Sequence, residues 1–368
     1  MDQYLKTSPG LDIQPPLKFL PDYKNPCWYM KKALHCLPTY YILGYPKCAT
    51  TDIWHKIAQH PQIVEPAQKE IHWWASYRYK GGKESSFRTF YSRSFGKAVS
   101  EAGNKESIIG DASPDTTWET RPSYRQISYA TRLRSVHDAP RVLPANVIKR
   151  YTPKAKFIFM MRNPTDRVYS HHLYEGKPTV QIGKTPEVPR SQNMFHIKVT
   201  QIIGQFQDCF QRRSVRACVY DPNLLHEAGE AKVLLQPGLY AVFISDWLKI
   251  FPREQFLFIN TDDYSHNQES ALKTAFEFLD VDIPADDTIE KVIKEAVRPN
   301  SRTVNGVAIG PMWNDTRELL DDFYEPFNRA LAEILGDDRY LFLKEAPGVE
   351  FAPNVIKKKG TKKTKTVS

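Results

Sequence analysis

The stretch YYILGYPKCATTDIW, Tyr40 to Trp54, sets a lysine and two threonines between a short apolar run and an amphipathic one. Those residue types at a strand-to-helix turn suit an anion. Backbone N–H groups of the first helical turn point outward and the helix dipole favours negative charge. Lys47 adds a mobile cation, and Thr50 and Thr51 add hydroxyl donors. A nucleoside-triphosphate loop would read G-x-x-x-x-G-K-[ST]. Here Gly44 is the only glycine, and the lysine precedes the hydroxyls at a different offset. The β- and γ-phosphates of ATP are therefore not the expected anion. Taken alone, the same residues also describe a plain turn with a surface lysine and capping threonines.

A second run, MRNPTDRVYSHH, puts Arg162 at the end of an apolar strand and Ser170 two turns into the next helix. An arginine fork with a serine hydroxyl suits a terminal phosphate monoester. The alternative is Arg162 pairing with Asp166 and Ser170 facing solvent. Two phosphate-type junctions in one chain point to a ligand with two anionic ends. A third run, QKEIHWW, holds Glu70 and His72 two residues apart, on one face if the backbone is extended. That pair suits general acid–base work; its bland version is a surface glutamate and a histidine packed beside Trp73 and Trp74. His171 and His172 read as decoration of a helix.

Alternating elements must position these residues. Tyr40–Leu43 reads as a buried strand, followed by a helix from about Thr51 to Gln59 that the HPQ sequence stops. Ser107–Trp118 reads as a short strand ending in a polar turn. Ala155–Glu175 reads as strand, turn at Asn163–Pro164 and helix, with proline where a first helical turn tolerates it. PGLYAVFISDWLKIF reads as a helix, EQFLFIN as a strand and SALKTAFEFLDV as a helix. The last helix carries Pro326, where a bend is expected. The Lys177–Arg190 segment reads as a flexible loop. Strands alternating with helices predict an α/β chain, a P-loop-like and mainly parallel sheet flanked by helices, with ligands beyond the carboxyl ends of the strands. Residues 1–39 read as an extended, proline-rich lead-in, 40–345 as the folded domain and 346–368 as a basic tail.

With 368 residues, 41% of them hydrophobic, the chain has material for a sizeable core. The formal charge of +9 owes much to six lysines in the tail IKKKGTKKTKTVS. That run reads as a solvated end, with a weak hold on polyanions as the sharper reading. No window is apolar enough for a membrane span, and the N-terminus lacks a signal-peptide core; the chain reads as soluble, or as a piece of a longer one. Of five cysteines, Cys27 and Cys36 form one close pair and Cys209 and Cys218 another, with Cys48 inside the first anion loop. No C-x-x-C spacing occurs, so zinc is not expected. An oxidising compartment would bridge both pairs, and a reducing one would leave buried thiols. The NDT acceptor at Asn314 is compatible with secretion and a glycoprotein.

GYPKCATT followed by MRNPTDRVYSHH resembles the two cofactor motifs of sulfotransferases, which use 3′-phosphoadenosine 5′-phosphosulfate. The first resembles their 5′-phosphosulfate loop, implying that Lys47, Cys48, Ala49, Thr50 and Thr51 hold the phosphosulfate. The second resembles their 3′-phosphate site, implying Arg162 and Ser170. NPCWY with CLP, HWW, GDASPDTTW, RACVYD, GLYAVFISDWL, GPMW and FYEPFN are similar to carbohydrate sulfotransferases that act on N-acetylgalactosamine 4-sulfate at its 6-O position. The resemblance runs from about Asn25 to Phe342. It implies a sulfated glycosaminoglycan acceptor of the chondroitin type, no nucleic-acid partner, no metal requirement, and residence in the Golgi lumen, although the membrane anchor is not in this chain. Heparan sulfate sulfotransferases that resemble this chain have Lys-Glu-x-His-aromatic at the third motif. The likeness implies Glu70 as base and His72 in a supporting acid–base or substrate-binding role. Those enzymes carry a lysine where this chain has Asp111, Ala112 and Ser113, which speaks against a heparan acceptor. Asp115 and Trp118 are candidates for the acceptor cleft. Arg298 and Arg302 lie in a segment that in the family closes over the cofactor.

Three other functions compete. A sulfotransferase for another polysaccharide or a small alcohol would keep the same motifs. A P-loop kinase would need a second glycine before the lysine and a magnesium-holding aspartate after a strand; that glycine is absent. A polyanion-binding protein without catalysis would have no need of Lys47, Glu70, Arg162 and Ser170 together.

Overall fold

The computed structural model describes residues 9–15, 17–119, 139–140, 142–174, 191–221, 223–224, 233–295, 303–304, 307–308 and 310–343. Short apolar runs form the strands β1 (Cys27–Met30), β2 (Ala33–Cys36), β3 (Tyr40–Gly44), β4 (Ile63–Val64), β5 (Ile108–Asp111), β6 (Lys156–Met161), β7 (Phe256–Asn260), β8 (Thr303–Val304) and β9 (Val307–Ala308). Five of them make one sheet in the order β4-β5-β3-β6-β7, and every pair in it is parallel. Both faces are covered, so β3 is buried at every residue and β6 at all but its first. Near-continuous apolar strands of this kind belong to parallel sheets between helical layers.

The expected α/β layout is present, and the order of strands locates its functional edge. From β3 the chain moves outward to β4, whereas from β6 it moves the other way to β7. Right-handed crossovers then put the intervening helices on opposite faces. The reversal leaves a crevice at the carboxyl ends of β3 and β6, where α/β sheets bind ligands. Glycine fits the sheet tightly at one point: a Cβ at Gly110 would lie 2.3 Å from the Tyr40 ring of the neighbouring strand.

Residues 1–39 are not simply a lead-in. Cys27–Met30 and Ala33–Cys36 pair antiparallel as a hairpin, turned by Lys31 and Lys32 in left-handed backbone and bridged between Cys27 and Cys36. The hairpin rests on the helix Ser92–Ala102, where a Cβ at Gly96 would come within 2.2 Å of the Leu34 carbonyl. Proline and lysine obscured these short strands, and the bridge offsets their weak propensity. Helices Ser92–Ala102 and Gln192–Arg212 occupy stretches given no helix above. The second buries Phe195, Val199, Ile202, Ile203 and Phe206 at helical spacing, although its β-branched residues are modest helix formers. The Lys177–Arg190 loop and the basic tail lie outside the described residues.

Cys209 and Cys218 are also bridged, each pair closing nine residues of sequence. Replacing Cys27 and Cys36 together by alanine is expected to cost about 2–3 kcal/mol and several degrees of melting temperature by loop-closure entropy. Calorimetric melting checks this, and an unchanged transition would show that the hairpin does not depend on its bridge.

Candidate functional site

Strand β3 ends at Gly44 and the helix Thr50–Ala58 begins six residues later. Within that turn Lys47 and Ala49 both have positive φ, 70° and 57°. Side chains other than glycine adopt this left-handed backbone at a cost, and such strain gathers at functional sites. The helix has Ala49 as its N-cap and no side chain capping it. Alanine is a poor N-cap, by roughly 1 kcal/mol against serine or aspartate. The first turn's N–H groups lack the usual intrahelical acceptors, so an anion in the turn would complete this helix. Thr50 is nearly buried and Thr51 exposed, both in that first turn. The Lys47 ammonium lies 3.7 Å from the centroid of the Tyr174 ring.

The turn is tied to the second junction. The Tyr45 N–H donates to the Met160 carbonyl of β6 at 2.8 Å. Tyr240 donates its hydroxyl proton to the Arg162 carbonyl at 3.0 Å and sits 3.6 Å from the Cys48 sulfur. The Cys48 sulfur also lies 3.9 Å from the Pro46 carbonyl, which can accept the thiol proton. Burial raises the thiol's pKa, so it stays protonated. Cys48 is fully buried, so its side chain belongs to the core, while its N–H donates to the Tyr45 carbonyl at 3.1 Å.

Arg162 stands at the exit of β6, and Ser170 lies half-buried on the helix Pro164–Tyr174. Asp166 pairs with Arg317 of the last helix rather than with Arg162. Among the described residues the Arg162 guanidinium makes no hydrogen bond or ion pair, though its charge acts on the Asp262 carboxyl, and its carbonyl accepts from Tyr240. His171 and His172 do not decorate the helix surface. Both are buried, and the His172 ring lies 4.9 Å from Phe195.

Arg167, which the sequence reading passed over, is completely buried between the junctions. It donates to the Leu234 carbonyl and acts electrostatically on the Cys48 thiol and the Tyr240 and Tyr324 hydroxyls. Among the described residues no carboxylate pairs with it. A buried cation of this kind is costly, and its place in the same motif as Arg162 was the available signal.

The third motif stands beside β5. The Ala112 N–H donates to the Lys69 carbonyl at 3.3 Å, and the His72 N–H to Ser113 Oγ at 2.9 Å. The segment is not extended: His72 has φ 53°. Glu70 and His72 nevertheless meet, with Oε2 3.4 Å from Nε2. The other imidazole nitrogen, Nδ1, is 2.9 Å from Asp115 Oδ2, an ion-pair contact off the line of a good hydrogen bond. Burial would lower the histidine pKa, but the Asp115 and Glu70 carboxylates hold it up at about 10. Burial would raise the Glu70 pKa, yet His72 and Lys69 bring it below its ordinary value. At neutral pH this corner is a carboxylate against an imidazolium. The imidazolium has no free lone pair, so a proton taken up there goes to a carboxylate, Glu70 or Asp115.

Behind it, Ser113 donates its hydroxyl to Asp111 Oδ1 at 2.6 Å, and Tyr91 donates to Oδ2 at 2.9 Å while accepting from Trp74 Nε1 at 2.7 Å. Burial pushes Asp111 up to about 6 against those hydrogen bonds. Through Ser113 this network fixes the backbone that aims His72. Trp118 is 6% exposed and its Nε1 is shut away from solvent. Arg298 and Arg302 lie outside the described residues.

Two strand ends that together suit a doubly anionic nucleotide, with a carboxylate to one side, define a class. Residues 38–307 match the Sulfotransferase domain family, and the chain belongs to it. Among individual proteins, the chain is 30% identical to human carbohydrate sulfotransferase 15 over 88% of its own length and 66% of that protein's. It thus spans about two thirds of the length of the curated relatives it matches. It is 23% identical to the membrane-associated sulfotransferase kil1 of Dictyostelium discoideum, over 85% of this chain and 68% of that one. Among solved structures, the sulfotransferase from Alicyclobacillus acidocaldarius is 20% identical, covers 82% of this chain and 97% of its own, and superposes with a TM-score of 0.45.

Proposed function

We propose that the chain transfers a sulfuryl group from 3′-phosphoadenosine 5′-phosphosulfate to a hydroxyl of a sulfated glycosaminoglycan. The favoured acceptor position is the 6-O of N-acetylgalactosamine 4-sulfate in chondroitin or dermatan sulfate. The observation that carries the donor half is the parallel pairing of β3 with β6, which sets the Lys47 turn and Arg162 side by side, joined through Tyr240. Arg162 and Ser170 then hold the 3′-phosphate. The N–H groups leading into the helix Thr50–Ala58, with Thr50 and Thr51, hold the phosphosulfate. The nucleotide supplies the sulfuryl group when bound. Lys47 neutralises charge that builds on the bridging phosphate oxygen as the S–O bond breaks. Glu70 takes the proton of the attacking hydroxyl as the new O–S bond forms.

A carbohydrate acceptor is supported by the 30% identity to carbohydrate sulfotransferase 15. Asp111, Ala112 and Ser113 in place of a heparan-type lysine favour a chondroitin-type chain over a heparan one. The two bridges suit an oxidising lumen such as the Golgi. Incubation with radiolabelled donor and separate chondroitin, dermatan and heparan chains, followed by disaccharide analysis, tests the reading. Label on 4-sulfated galactosamine units is expected. Label confined to heparan, or to no polysaccharide, contradicts it.

A further inference from the structure

We infer that Lys69 makes transfer depend on an anionic acceptor. Its ammonium rests on Glu70 until a sulfate ester or uronate carboxylate of the incoming sugar draws it away and releases the base. The inference builds on Glu70 being that base.

The corner around Glu70 is balanced in charge. Lys69 Nζ contacts Glu70 Oε1, His72 Nε2 faces Oε2, and Asp115 faces the other side of His72. Two carboxylates therefore stand against two cations, with Asp111 buried one step behind through Ser113. Among the described residues of this corner each cation already faces a carboxylate, so one of them must change partner to meet a polyanionic acceptor. His72 is held on three sides, by Glu70, by Asp115 and through its backbone by Ser113. Lys69 has its carbonyl fixed by the Ala112 N–H, but its ammonium sits on a four-carbon stem with three rotatable donors. Lys69 is the cation able to move.

The exchange has a consequence for chemistry as well as for binding. A carboxylate with a cation on each oxygen is a poor proton acceptor. When Lys69 turns to an acceptor anion, Glu70 keeps His72 alone and becomes the stronger base while the reacting hydroxyl is beside it. An uncharged sugar leaves Lys69 where it is. Selectivity for anionic acceptors then sits partly in the rate and partly in binding, in one side chain.

The test compares wild type with Lys69→Met and Lys69→Arg on three acceptors: chondroitin 4-sulfate, desulfated chondroitin, and desulfated chondroitin with its carboxyls reduced. Retained affinity for adenosine 3′,5′-bisphosphate certifies each variant as folded. For Lys69→Met, kcat/KM on the best anionic chain is expected to fall about 10- to 100-fold, the worth of one charged hydrogen bond. It should rise on the uncharged chain, with the acid limb of the pH profile moving to higher pH. Lys69→Arg should restore much of the selectivity. If the variant erases the step between sulfated and desulfated chains, the sulfate ester is the partner; if it erases the step between desulfated and carboxyl-reduced chains, the uronate is. An equal loss on all three acceptors, or unchanged ratios, overturns the inference. Failure of the Glu70 reading is seen separately, as transfer that survives Glu70→Gln.

Discussion

Lys47→Ala is expected to remove ~10²–10³-fold or more of the sulfate-transfer rate while leaving nucleotide binding largely intact. The lysine stands in a left-handed turn between β3 and the helix Thr50–Ala58, with its ammonium over the Tyr174 ring. Charge accumulates on the leaving phosphate oxygen only as the S–O bond breaks. An interaction confined to that moment lowers kcat far more than it weakens binding. The nucleotide's other end keeps Arg162 and Ser170, and the helix N–H groups remain. Single-turnover transfer of labelled sulfate, set beside calorimetric binding of adenosine 3′,5′-bisphosphate, separates the two effects. Near-normal transfer would remove Lys47 from the chemistry, and a matching collapse of binding would make it a ground-state anchor.

The second large effect belongs to Glu70. Glu70→Gln preserves shape, keeps an acceptor oxygen for His72 and removes the basic site, so the expected loss is ~10²–10⁴-fold with nucleotide affinity retained. The pH profile carries the sign of the argument. Glu70 is held below the usual carboxylate range by His72 and Lys69 against the opposing pull of burial. Activity therefore falls on acidification only when that lowered carboxyl takes up its proton. On the alkaline side His72 keeps its charge to about pH 10. Between these limits His72 itself is expected to add no step near an ordinary histidine pKa of about 6.5; a step there that persists without His72 belongs to Asp111, which burial pushes up to about 6. A step there that vanishes in His72→Ala, together with mild damage in Glu70→Gln, would transfer the role of base to the imidazole.

Much of this site is written in local runs. A buried apolar strand followed by lysine and threonines, or by Arg-Asn-Pro, announces a strand-to-helix junction whatever the rest of the chain does. The close cysteine pairs likewise carried their own partners within nine residues. What local runs omit is direction and long-range company. Nothing in the letters around Cys48 says that its thiol turns inward to Tyr240, 192 residues on. Asp115 reaches His72 because β5, which leads to the one, lies beside β4, which leads to the other, and that adjacency follows from parallel pairing rather than from spacing. The positive φ of His72 and the Asp111–Ser113–Tyr91 network beneath it are products of the same packing. The hairpin Cys27–Cys36 was hidden by prolines and lysines, and the helix Gln192–Arg212 by its β-branched residues, although its buried positions repeat at helical intervals.

That one nucleotide is gripped at both ends by neighbouring turns is tested most directly by calorimetric titration of the full chain, without added metal. The ligands are adenosine 3′,5′-bisphosphate, adenosine 5′-phosphate, adenosine 3′-phosphate and ATP with magnesium. One-to-one binding of the bisphosphate, tighter than either monophosphate by at least about tenfold, is predicted, because each end adds its own charged hydrogen bonds. Equal binding of the bisphosphate and a monophosphate, or a preference for ATP with magnesium, would contradict it.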